Sequence, residues 1–100
     1  MTDAEKVTRA QDLITRKLYK QGDDRIDKIE WEQTPLSRLA RIHRLVIFRR
    51  GEKSIFIFTE YELLKDYGSD KWEHRLLRRV SDIQIDFEVS EKIGETLLRI

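Results

Sequence analysis

Ile42-His43-Arg44-Leu45-Val46-Ile47-Phe48-Arg49-Arg50-Gly51-Glu52-Lys53-Ser54-Ile55-Phe56-Ile57-Phe58-Thr59-Glu60-Tyr61 is the stretch on which the fold turns. Residues 42–49 and 54–61 are rich in β-branched and aromatic side chains. Such side chains favour the pleated, half-buried surface of a strand. Between them lies Arg50-Gly51-Glu52-Lys53, so the expected unit is a hairpin turning at Gly51. A two-residue Gly-Glu loop suits a type II′ turn, with glycine at its first central position. That centre pairs Phe48 with Ile55, Ile47 with Phe56, Val46 with Ile57 and Leu45 with Phe58. Further out it sets His43 against Glu60 and Arg41 against Glu62, and opposite charges across a sheet are favourable.

Side chains alternate between the two faces of a strand. One face of the hairpin therefore carries Val46, Phe48, Ile55 and Ile57, and the other carries Leu45, Ile47, Phe56 and Phe58. Both faces are apolar and both call for cover. An N-terminal helix is the expected cover for one. More sheet, or the interior of a small partly open barrel, is expected on the other. Any apolar area left bare becomes a partner surface, and Leu45, Ile47, Phe56 and Phe58 are the candidates for it.

Working outward, residues 3–20 place Val7, Ala10, Leu13, Ile14 and Leu18 on one face at helical spacing. Thr2 and Glu5 have the form of a capping box, and Gly22 suits the position past the helix end. Residues 25–32 read as a short strand, in which Ile29 and Trp31 alternate but Ile26 falls out of phase. Thr34-Pro35 has the form of a helix start, which predicts a turn or two of helix over 36–41. Residues 62–68 suit either a continued strand or a helical turn, before a turn at Gly68-Ser69-Asp70. Residues 71–80 fit a helix through Trp72, Leu76 and Val80, or a strand through Trp72, His74 and Leu76. Ile83, Ile85, Phe87 and Val89 alternate with polar residues and predict a half-buried strand over 82–89. A turn over 90–95 and a last short strand over 96–100 follow. The expected class is α+β in a single domain of residues 1–100, with a helix over 3–20 and an antiparallel β region over 25–100.

Composition narrows the function. Apolar and charged residues each make up 39% of 100 residues, and the apolar ones cluster periodically, so a folded core is expected rather than disorder. There is no cysteine, hence no disulfide, thiolate metal site or cysteine nucleophile. The polar start Met1-Thr2-Asp3-Ala4-Glu5 lacks the form of a secretion signal, and no apolar run is long enough to span a bilayer. The expected location is the cytoplasm. The four glycines stand apart at 22, 51, 68 and 94, so no phosphate-cradling loop is present. No zinc-ligand spacing appears, His74 is a lone histidine, and no cofactor is expected.

Net charge is only +1, but it is segregated. Arg38, Arg41, Arg44, Arg49, Arg50 and Lys53 lie close together against Glu52, between acidic segments at 23–32 and 81–95. Arg41, His43, Arg44, Arg49, Arg50 and Lys53 are thus candidate contacts for an anion or a nucleic acid. His43 beside these cations offers a general base near phosphate-stabilising charge, as metal-independent RNA cleavage needs. Strand alternation sends Arg41, His43 and Arg49 to one face and Arg44 to the other, which favours ordinary pairing with acids instead. Phe48, Phe56, Phe58 and Tyr61 have the ring faces to stack bases, but phenylalanine in such strands is more often core.

Four strings carry a family resemblance: Phe58-Thr59-Glu60-Tyr61-Glu62-Leu63-Leu64, Gly68-Ser69-Asp70, Lys71-Trp72-Glu73-His74-Arg75 and Val80-Ser81-Asp82-Ile83. From about residue 44 their order resembles bacterial PH-like and GRAM-like domains. The resemblance implies a non-catalytic module that binds proteins or phospholipid headgroups, the latter through a basic loop such as Arg49, Arg50 and Lys53. Glu52 in that loop counts against a strong anion site. The long N-terminal helix, and the lack of an evident C-terminal one, depart from the family pattern. The leading expectation is a protein-binding or self-associating domain. Nucleic-acid binding or a small ribonuclease comes second, and headgroup binding third.

Overall fold

The computed structural model describes residues 1–20, 25–35 and 41–98, with the backbone only at 34, 35, 92 and 94–98. Helix α1 spans Asp3–Lys20. The capping box forms as expected: the Thr2 hydroxyl accepts from the Glu5 amide at 3.2 Å, and the Glu5 carboxylate accepts from the Thr2 hydroxyl at 3.1 Å. Val7, Ala10, Ile14 and Leu18 make its buried stripe. Gly22 lies outside the described residues.

Three strands form one antiparallel sheet in the order β1 (Ile26–Pro35), β2 (Arg41–Arg49), β3 (Glu52–Thr59). The sheet stays open among the described residues, so the alternative of a small barrel is not realised. A bulge in β1 explains the phase of Ile26. Ile26 pairs with Arg49 and Lys28 with Phe48, leaving Asp27 as an extra residue. That extra residue returns Ile26 to the face of Ile29 and Trp31, and all three pack against the core. Thr34-Pro35 ends β1 instead of starting a helix, pairing with Ile42 and Arg41. Proline is tolerated there because β1 is an edge strand, where a missing N–H breaks no ladder bond. The helix expected over 36–41 falls largely outside the described residues, and Arg41 opens β2.

The hairpin forms, but its turn comes one residue early. The two loop residues are Arg50 (φ 49°) and Gly51 (φ 79°). Two positive φ values make a type I′ turn, whose twist matches that of the strands it joins. Phe48 therefore faces Lys53, Val46 faces Ile55, Leu45 faces Phe56 and His43 faces Phe58. Every partner has moved by two residues from the expected register. A shift of two leaves each side chain on its expected face, whereas a shift of one would have inverted the sheet. The expected Arg41–Glu62 cross-strand pair is lost because β3 stops at Thr59, whereas His43 still meets Glu60, at 3.4 Å, from the residue that follows the strand. The Thr59 hydroxyl accepts from the Glu62 amide at 3.1 Å and caps a short helix α2, Glu60–Leu64.

A long helix α3, Asp70–Leu98, replaces the expected strand at 82–89, the turn at 90–95 and the described part, 96–98, of the strand expected over 96–100, whose last two residues lie outside the described residues. Ser69 starts it by accepting from the Trp72 amide at 3.2 Å. Leu76, Val80, Ile83 and Phe87 are its buried residues, at spacings of four, three and four. This is a helical stripe running through the supposed strand. Two of the four residues that alternate belong to it. The strings at 71–75 and 80–83 in the PH-like resemblance are likewise helical here.

Both long helices pack on the same face of the sheet. Leu45, Ile47 and Phe58 are fully buried beneath them with Ile14, Leu18, Leu63, Leu76 and Val80. Trp31 bridges to α1 by donating to the Thr15 hydroxyl at 2.9 Å. Phe56 meets Phe87 of α3 edge to face at 5.7 Å. Trp72 secures the start of α3 by donating to the Leu63 carbonyl at 2.9 Å. The molecule measures 52 × 30 × 19 Å. Its long axis reflects α3, which at 29 residues is about 43 Å long.

Candidate functional site

The basic residues of the middle segment do not converge. Arg41 and Arg49 stand at opposite ends of β2, about 27 Å apart at strand rise. Arg49 is turned inward: its guanidinium lies 4.0 Å over the Phe87 ring and donates to Glu91 at 2.9 Å. Arg44 points to the opposite face and meets Glu32 at 3.8 Å. Arg50 and Lys53 are exposed around the hairpin turn.

His43 is buried in the central strand, not at a sheet edge. The Gln11 amide lies 3.3 Å from its Nδ1 and Glu60 lies 3.4 Å from its Nε2. With the amide nitrogen donating to Nδ1, the ring proton sits on Nε2 and is donated to Glu60. The imidazole thus ties α1, β2 and α2 together. Above it opens a cavity of about 590 Å³ whose wall includes Asp3, Gln11, Glu32, Arg41 and Glu60. With Glu32 turned to Arg44 on the other face, Asp3 and Glu60 set two carboxylates against the one guanidinium of Arg41, which disfavours a phosphate. Among the described residues no group of acids and histidines is placed to hold a metal ion.

Glu91 sits in a basic environment. Arg25 and Arg49 both pair with its carboxylate. The hydrogen bond from Arg25, aided by that from Arg49, outweighs partial desolvation and holds the carboxyl below its ordinary value of 4.5. A lowered folded pKa adds stability at neutral pH that is lost as pH falls through that folded value. Glu91 is expected to titrate below 4.5 by carboxyl-detected NMR, with amide protection over 88–93 falling in the same step. Glu91→Gln should abolish the pH dependence. Titration at the ordinary value would show that the two arginines do not hold this end of α3.

The candidate apolar surface behaves differently from expectation. Leu45, Ile47 and Phe58 are consumed by the protomer's own core, and Phe56 is half-buried against it. The bare apolar residues lie elsewhere. On the outer face of the sheet, Ile55 is 41% and Ile57 54% exposed. The rest of that face is covered: Val46 of β2 is fully buried and Phe48 half-buried, and the ion pairs Lys28–Glu30 and Arg44–Glu32 screen the β1 side, so the bare strip is the β3 edge. On α3, Ile85, Val89 and Ile93 are all exposed at four-residue spacing. At 100° per residue they centre about 150° round the helix from the core stripe. The signal was present in the sequence: apolar alternation placed on a helix sends successive members to opposite sides. Ile83 and Phe87 face the sheet, and Ile85 and Val89 face away.

No protein family, curated protein or solved structure matches this chain. No helix among the described residues is long and apolar enough to cross a membrane.

Proposed function

We propose that this chain is a non-catalytic protein-interaction domain whose contact surface is the outward face of α3. The observation that carries it is the exposed row Ile85, Val89 and Ile93 on a helix whose opposite side already fills the core. Past Phe87 no described α3 side chain is fully buried, and Glu91 alone there is half-buried. Helical turns without tertiary packing are marginal in water, so a partner that covers this row stabilises them as well. The anion-binding readings have less support, because Arg49 is engaged by Glu91 and Arg44 faces away from Arg41.

The test is a double substitution, Ile85→Asp with Val89→Asp. Both sites are exposed, so its thermal melt should match the parent within a few degrees. Light scattering and capture from the native host should show the parent chain associating and the variant not. An association that survives the double substitution would remove α3 as the contact surface.

A further inference from the structure

We propose that the α3 row is covered by the bare β3 edge of the outer sheet face, Ile55 and Ile57, of a second copy of this chain, so that copies stack head to tail. This rests on the reading of α3 as the contact surface and names its partner. The two bare patches belong to opposite layers of one molecule. Phe56 and Phe58 point toward α3, since Phe56 meets Phe87 and Phe58 lies under Arg79. Ile55 and Ile57 alternate with them and so point away. The α3 row points away from the sheet on the other side. No protomer can join its own two patches.

Their shapes correspond. Ile55 and Ile57 are two residues apart on a strand, about 6.8 Å. Successive members of the α3 row are four residues apart on a helix, about 6 Å. A helix laid along β3 therefore meets it side chain for side chain. Their charges correspond as well. Exposed Asp82, Asp86 and Glu88 flank the α3 row, with the exposed Arg78 one turn further toward the helix start. Around Ile55 and Ile57 the exposed charged neighbours on the β3 side are Lys53 and Arg50 against the single acid Glu52, while Glu30 and Glu32 are engaged by Lys28 and Arg44. Pairing the α3 row with another α3 row would set acid against acid, which disfavours that alternative. The result supplies the missing layer: a sheet with helices on one face gains a helix on the other. A head-to-tail contact that does not close generates open chains of copies.

Sedimentation velocity of the full chain over a wide concentration range tests this, with two blocked variants. Ile85→Asp/Val89→Asp removes the helix patch, and Ile55→Thr/Ile57→Glu removes the sheet patch. The singles Val89→Asp and Ile57→Glu serve where a double variant melts early. The parent should show mass rising continuously with concentration. Each variant alone should be monomeric, yet an equal mixture should form a one-to-one heterodimer, because each retains the patch the other lacks. A closed parent dimer that survives the sheet substitutions, with no heterodimer in the mixture, would mean that α3 pairs with α3 and would overturn the proposal. A monomeric parent that captures a different protein through Ile85 and Val89 would also overturn it and leave the interaction reading intact. Self-association undiminished by the helix substitutions would sink both.

Discussion

Phe58→Ala is expected to cost about 3–5 kcal/mol of folding stability. Phe58 is fully buried and sits at the junction of every layer. Trp31 of β1 packs against it at 5.4 Å between ring centroids. From α3 the Arg79 guanidinium lies 4.3 Å over its ring. The same guanidinium donates to the Ile57 carbonyl at 2.5 Å and pairs with Glu62 at 3.2 Å. Removing the ring leaves a cavity and also takes away the platform that orients Arg79. A domain of this size has roughly 5–15 kcal/mol in total. The loss should lower the melting temperature by on the order of 15–30 °C. Phe58→Leu, which keeps most of the volume, should cost roughly 1.5 kcal/mol or less. Urea denaturation of the three proteins measures this directly. An alanine variant that melts within a few degrees of the parent would mean that Phe58 is not central to the core.

The second large effect is a contrast between neighbours. Ile83→Asp should unfold the domain at neutral pH, whereas Ile85→Asp should change its stability by less than about 0.5 kcal/mol. Ile83 is 2% exposed and Ile85 is 56% exposed. A carboxylate at 83 would be buried among Leu76, Val80 and Phe87, where the nearby Arg79 and Arg49 are already engaged by Glu62 and Glu91, a cost that rivals the whole stability of a small domain. A carboxylate at 85 would stay in water. On a strand the two positions would share a face and respond alike. Circular dichroism of the two variants thus distinguishes helix from strand over this stretch. Equal damage at both positions would contradict the helical placement of 82–89.

How much was legible in the sequence differs from one element to the next. The segment over 3–20 carries its own cap and one unbroken stripe, so α1 follows from local chemistry. The hairpin was legible down to its faces but not its register. A Gly-Glu and an Arg-Gly loop differ by one residue, and both arrangements send Leu45, Ile47, Phe56 and Phe58 to the same side. Local preference separates the two turns only weakly. The bulge at Asp27 was visible as the phase slip of Ile26, but only the pairing to β2 gave it a meaning. The candidate basic site was legible as a cluster in sequence and dissolved in space. A strand spreads its residues along its length and across two faces, and Glu91, far along the chain, claims Arg49.

What the sequence by itself determined is an α+β domain with a capped N-terminal helix and a central hairpin of known faces. These depend on interactions within a few residues, where spacing and side-chain chemistry suffice. What only the tertiary structure decided is the state of 70–98 and the surface left bare. Ile83, Ile85, Phe87 and Val89 satisfy a period of two by themselves. Only with Leu76 and Val80, and with a sheet face for that stripe to lie on, does the period of 3.6 prevail. Once helix wins, half of the apolar alternation is buried and the other half is exposed. That leftover row follows from long-range packing, and it is the feature from which the function of this chain is read.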